Sequence, residues 1–161
     1  MKSLQWMLRC YGIIISAVGI FHHTAVVMKK FVSITGFVTK DWLSTVKFFY
    51  YTSRAFNSAQ NAEGNISSTK FAAGGVYMTL TVWEDKESMR KYYAGGEHLA
   101  AMRQTKSLGQ YAKVYSYLTD EVPTREKAIE MWRNKGRIVH GDPDPEYGDD
   151  IVLDVTTEES R

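Results

Sequence analysis

Between Val76 and Trp83 the chain reads VYMTLTVW, and neighbouring residues alternate between two chemistries. A β-strand sends successive side chains to opposite faces. Val76, Met78, Leu80 and Val82 therefore make one aliphatic face, and Tyr77, Thr79, Thr81 and Trp83 make a face of rings and hydroxyls. The aliphatic set suits packing beneath helices. The mixed set is too apolar to stand bare in water and too polar for a sealed aliphatic core, so it suits a dimer interface or a partly wet cavity. A second copy of the same sheet would cover it. YAKVYSYLTD, from Tyr111 to Asp120, carries a similar row in Tyr111, Lys113, Tyr115 and Tyr117.

The segments around this strand set its partners. FVSITGFV (Phe31 to Val38) is rich in β-branched residues and reads as a strand. A helix follows, with Asp41 as N-cap, the turn at Glu63–Gly64–Asn65 as its stop, and Leu43, Val46, Phe49, Tyr50 and Phe56 as its buried face. NISSTKF and VYMTLTVW form a hairpin across AAGG. DKESMRKYYAGGEHLAAMRQT is helical but interrupted at Gly95–Gly96, where glycine is costly. Either one helix bends there for packing, or one stops and another is aimed at something. PTREKAIEMWRNKG places proline at the start of a helix and glycine after its end. The order is βαββαβ with an added helix, so the fold class is α+β, ferredoxin-like, with an antiparallel sheet.

The ends differ from this body. GIIISAVGIF (Gly12 to Phe21) is uncharged and apolar, flanked by Lys2 and Arg9 and by Lys29 and Lys30. It is marginal for the roughly 20 residues that span a bilayer. A membrane-attached or signal-like helix, a helix packed on the body, and a true start at Met28 all remain open for residues 1–30. The chain is otherwise expected to be cytoplasmic. His22 and His23 point about 100° apart on a helix and do not make a metal site together. From Val139 onward eight acidic side chains face only Arg161, a charge of −7; with +2 overall, residues 1–138 carry +9. The bases are scattered and no nucleic-acid motif accompanies them, so no nucleic-acid partner is expected. His140 to Asp150 reads as a loop and Ile151 to Val155 as a short strand or docking segment. The lone Cys10 excludes an internal disulfide framework and a thiolate zinc site. The domain plan is therefore an apolar segment (1–30), a barrel domain (31–120), an extra helix (121–138) and an acidic tail (139–161).

The stretch YMTLTVWEDKESMRKYYAGGEHLAAMR resembles the dimeric α/β-barrel superfamily, and within it small proteins allied to spheroidene monooxygenase. Thr79, Thr81, Trp83, Glu84, Met89, Gly96, His98, Ala101 and Met102 carry the likeness. The resemblance implies a homodimer with a pocket between sheet and helices in each subunit. It implies an oxygenase acting on a bulky apolar molecule, with His98 as acid/base or axial ligand and Tyr77, Thr79, Thr81, Trp83 and Tyr92 against the substrate. In haem-degrading relatives a tryptophan and a histidine stand where this chain has Tyr92 and Met102, which argues against haem degradation. Haem ligation by His98 with Met102, four residues on, stays open beside cofactor-free chemistry. No nucleophile elbow, phosphate loop or multi-ligand metal spacing is present. A non-catalytic binding protein and an assembly subunit anchored through its first thirty residues are the competing functions.

Overall fold

The computed structural model describes residues 28–142. The readings of the N-terminal apolar run, of Cys10, of the His22–His23 pair and of Ile151–Val155 lie outside these residues. Among the described residues no helix is long and apolar enough to cross a membrane.

Five antiparallel strands form one sheet: β1 (Lys30–Thr39), β2 (Asn65–Ala73), β3 (Val76–Trp83), β4 (Gly109–Thr119) and β5 (Arg137–His140), in the order β2-β3-β1-β4-β5. The helices are α1 (Trp42–Gln60), α2 (Lys86–Tyr93), α3 (Gly96–Arg103), α4 (Thr105–Leu108) and α5 (Arg125–Lys135). The expected α+β sheet with its ferredoxin-like order is present, extended by β5, which pairs with the outer edge of β4. That edge strand takes in Val139 and His140, residues expected to belong to the tail and its loop.

Local chemistry explains the element ends. Asp41 accepts the Ser44 amide at 2.8 Å and starts α1, and Asp85 accepts the Ser88 amide at 2.7 Å and starts α2. Gly74 and Gly75, both at positive φ, turn β2 into β3. Thr124 caps α5 through the Lys127 amide.

The two faces of the sheet are exchanged relative to the sequence reading. Val76, Met78, Leu80 and Val82 join Val32 and Ile34 on the face crossed by α5, where Ala128, Ile129 and Trp132 complete the main core. Arg125 at the start of α5 lies over Phe71 of β2, and Trp132 near its end donates from Nε1 to the Lys113 carbonyl of β4 at 2.8 Å. The helix thus runs obliquely across the sheet. Burying Trp132 entirely contributes on the order of 5 kcal/mol of transfer free energy as an upper bound. Its indole lies so close to β1 that a Cβ on Gly36 would stand 2.3 Å from Cζ2. The face of rings and hydroxyls lies instead beneath α1 to α4. The Tyr111, Lys113, Tyr115 and Tyr117 row does not accompany it: through the pairs Val32–Tyr117 and Ile34–Tyr115 it shares the α5 face.

The first helix is also turned. Leu43, Val46, Phe49 and Tyr50, expected in the core, are exposed, and only Phe56 of that set is partly buried. Ser44, Ala55 and Ala59 are the buried positions, with Phe48 and Tyr51 packed beside them. Phe48 and Tyr51 thus supply the inner rings of α1, and its other large apolar side chains are left outward.

Candidate functional site

Because α1 to α4 stand over the hydroxyl face, they leave a partly open cavity of about 430 Å³. Its floor is set by strand register. Ser33 lies opposite Thr81, Thr35 opposite Thr79, and Ser33 also opposite Ser116, so five hydroxyls from three strands share one surface. Part of this set is internally committed. Ser116 Oγ and Ser33 Oγ are 3.1 Å apart, and Thr81 Oγ1 accepts the Trp83 indole N–H at 2.9 Å. The walls are aromatic. Phe48 stacks on Phe37 at 4.6 Å between centroids and meets Tyr77 at 5.3 Å. Arg90 and Arg137 also border the cavity, and among the described residues no carboxylate does.

The interruption at Gly95–Gly96 determines how the far wall is made. The α2 helix stops, and α3 begins with Gly96 at φ +55°. A Cβ at either glycine would meet nothing within 4 Å, so close packing is not the reason for them. The left-handed backbone at Gly96 is. The turn redirects the chain so that His98, Ala101 and Met102 line the cavity. Arg54 of α1 then holds α3 in place, donating to Glu97 at 2.6 and 2.8 Å while also reaching Tyr50 Oη at 3.0 Å. This pairing holds the Glu97 carboxyl below its ordinary pKa.

His98 sits against the rings of Tyr92, at 4.7 Å, and Tyr93, at 5.1 Å. Burial pushes its pKa below the ordinary 6.5, an effect the Tyr93 main chain partly opposes. The imidazole is therefore neutral at pH 7. Its Nδ1 is sealed from solvent and makes no hydrogen bond of acceptable geometry, which leaves Nε2 as the ring nitrogen that can serve the cavity.

Of the residues singled out from the sequence, Tyr77, Thr79, Thr81, Tyr92, His98 and Met102 line this space. Trp83 does not. It is fully buried behind Tyr92, stacked on that ring at 5.1 Å in a small core with Phe31 and Ala59. Tyr92 contributes its ring rather than its hydroxyl, which donates to the Ala55 carbonyl at 2.9 Å; burial raises its pKa well above the ordinary 10. Ser33, Thr35 and Ser116 were missed, as were Phe48, Tyr51 and Arg137. The signal for two of them was in FVSITGFV, where Phe31, Ser33, Thr35 and Phe37 repeat the alternation of rings and hydroxyls seen in β3.

The residues do not fit an axial haem ligand of the usual kind. A ligating histidine donates its second ring N–H to an acceptor that orients it, and the Tyr93 main chain beside His98 makes no hydrogen bond of acceptable geometry with its Nδ1. Met102 lies at the rim, 36% exposed. Among the described residues no three His, Cys, Asp or Glu side chains are grouped to hold a metal ion.

No protein-family model and no curated protein matches the chain. Solved structures do. A protein of unknown function from Nitrosomonas europaea, NE2512, is 12% identical with a TM-score of 0.51, over 60% of this chain and 95% of that one. Rv0793 from Mycobacterium tuberculosis is 10% identical with a TM-score of 0.51, over 60% and 98%. SnoaB from Streptomyces nogalater, a cofactor-independent oxygenase, is 15% identical with a TM-score of 0.47, over 60% and 97%. At these identities the likeness to NE2512 and Rv0793 establishes the fold alone, that of the dimeric α/β-barrel proteins.

Proposed function

We infer that the cavity binds a bulky, mostly apolar small molecule bearing oxygen or anionic groups, and that the chain is a monooxygenase-like protein acting on it. The observation that carries this reading is the composition of the space itself: an aromatic wall, a hydroxyl floor, two arginines at the border, no carboxylate among the described residues, and one imidazole kept neutral by burial. Such a lining desolvates a ring system while orienting its polar edge. His98 Nε2 would accept a proton from the bound molecule, because a group with a lowered pKa is present as the base at neutral pH. The likeness of the β3–α3 stretch to proteins allied to spheroidene monooxygenase supports oxygen chemistry, and the homodimer belongs to the same reading.

The test is titration with polycyclic phenols and quinones, followed by tryptophan fluorescence and an oxygen electrode. Thr79→Trp, which fills the floor, should abolish binding. His98→Gln should retain binding and lose oxygen uptake. Binding undisturbed by Thr79→Trp would refute the site. Binding without oxygen uptake in the wild type would leave a non-catalytic carrier, a reading favoured by the internal commitment of the Thr81 and Tyr92 hydroxyls.

A further inference from the structure

The outward side of α1 carries Trp42, Leu43, Val46, Phe49 and Tyr50, which are 72, 55, 61, 49 and 58% exposed. At 100° per residue these five fall on one sector directly opposite the buried Ser44, Ala55 and Ala59. A surface helix normally turns its apolar stripe toward the core; α1 does this with Phe48 and Tyr51 beside Ser44, Ala55 and Ala59, and carries a second apolar stripe outward. Exposed apolar residues scattered singly need no explanation; five large ones on one side of a single helix do.

We propose that this face of α1 docks on an anionic lipid bilayer surface. Charge selects this occupant. Between Trp42 and Gln60 the helix has no acidic residue, and besides Arg54, whose charge Glu97 balances, it carries Lys47. Lys40 and Lys106 meet at its N-terminal end, where Lys40 Nζ donates to the Lys106 carbonyl at 2.9 Å. Lys70 flanks the helix from β2, its ammonium 5.0 Å from the Phe56 ring. The nearby carboxylates are occupied: Asp41 caps the helix and Glu97 is paired with Arg54. An apolar stripe bordered by ammonium groups matches the plane between acyl chains and anionic headgroups, and tryptophan and tyrosine favour that depth. A second copy seated on the same stripe would bring the two sets of lysines together and is disfavoured for that reason.

The stripe also joins the cavity. Phe49, on the exposed face, packs edge-on against Tyr77 at 5.1 Å, and Tyr77 lines the interior beside Phe48. Docking would place this aromatic wall at the lipid surface, where an apolar molecule is concentrated. The docking face stands whether or not the cavity proves catalytic.

The experiment is co-sedimentation of the full chain with vesicles of phosphatidylcholine containing a quarter phosphatidylserine, compared with pure phosphatidylcholine. Leu43→Glu with Val46→Glu should lower partitioning onto the anionic vesicles at least about tenfold, with an unchanged circular-dichroism melt, since both side chains are exposed. Lys40→Gln with Lys47→Gln should remove most of the preference for anionic lipid. Partitioning that survives the two glutamates would overturn the proposal and move attachment elsewhere, including to residues 1–27. Equal binding to both vesicle types would overturn it as well. So would a dimer, dissolved by Val46→Glu, in a protein that ignores vesicles.

Discussion

Gly95 and Gly96 are adjacent, and the structure requires them to respond oppositely to alanine. Gly95 is extended, at φ −143° and ψ 179°, a conformation any residue adopts, and its Cβ would enter open space. Alanine there loses a little as an N-cap and gains by restricting the unfolded chain, so the net change stays within about 0.5 kcal/mol of zero. Gly96 is at φ +55°, also with open space around it. Alanine there costs about 1–2 kcal/mol through the left-handed backbone alone. For a chain of this length the penalty lowers the thermal midpoint by roughly 2–8 °C. Gly96→Asn should recover part of the loss, because asparagine tolerates that conformation better. Urea unfolding followed by circular dichroism, with m-values held in common, reads all three variants. Equal losses at the two positions, or a larger loss at Gly95, would show that the break between α2 and α3 is a packing device after all.

Three further outcomes follow from the same geometry. Gly36→Ala forces a methyl into the Trp132 ring and should destabilise by about 1–3 kcal/mol, read as a shift of the urea midpoint; a silent substitution would mean that α5 does not rest on β1. Because burial lowers the His98 pKa, the unfolded chain binds that proton first as pH falls. Stability is full above the ordinary 6.5 and declines from there toward the lower folded value, and His98→Gln should flatten this part of the curve of midpoint against pH. Arg54→Met should speed amide hydrogen exchange across residues 96–103 while leaving β1 protected, since the guanidinium ties α3 to α1 at the protein surface. Uniform acceleration in both segments would instead mean that the pair supports the whole fold.

The sequence showed more of the architecture than of the site. Asp41, the Gly74–Gly75 turn and the Pro–Gly bracketing of α5 each act within a few residues of themselves, so local chemistry sufficed to place those elements. Gly96 announced a break, but its reason became visible only with its φ angle. Trp83 looked like a pocket residue because it shares a strand face with Tyr77, Thr79 and Thr81; its position at the end of β3, behind Tyr92, removed it. Ser116 could not be recognised from its own strand, because its meaning comes from standing opposite Ser33 on β1.

What the amino-acid order determined by itself is that β3 has two unlike faces, that both need cover, and that the strands and helices alternate in a ferredoxin-like order. What only the tertiary structure decided is which cover each face receives. A period of two separates the faces but does not assign a sign to them. That assignment comes from α5, whose Trp132 lies against the bare backbone of Gly36, and from α1, whose Phe48 meets Phe37 and Tyr77 on the opposite side. Hydrophobic periodicity did not choose between the two apolar sectors of α1, of which the one with Phe48 and Tyr51 turned inward. The ring-and-hydroxyl surface therefore became the floor of a partly open cavity, and the other large apolar side chains of α1 were left facing outward.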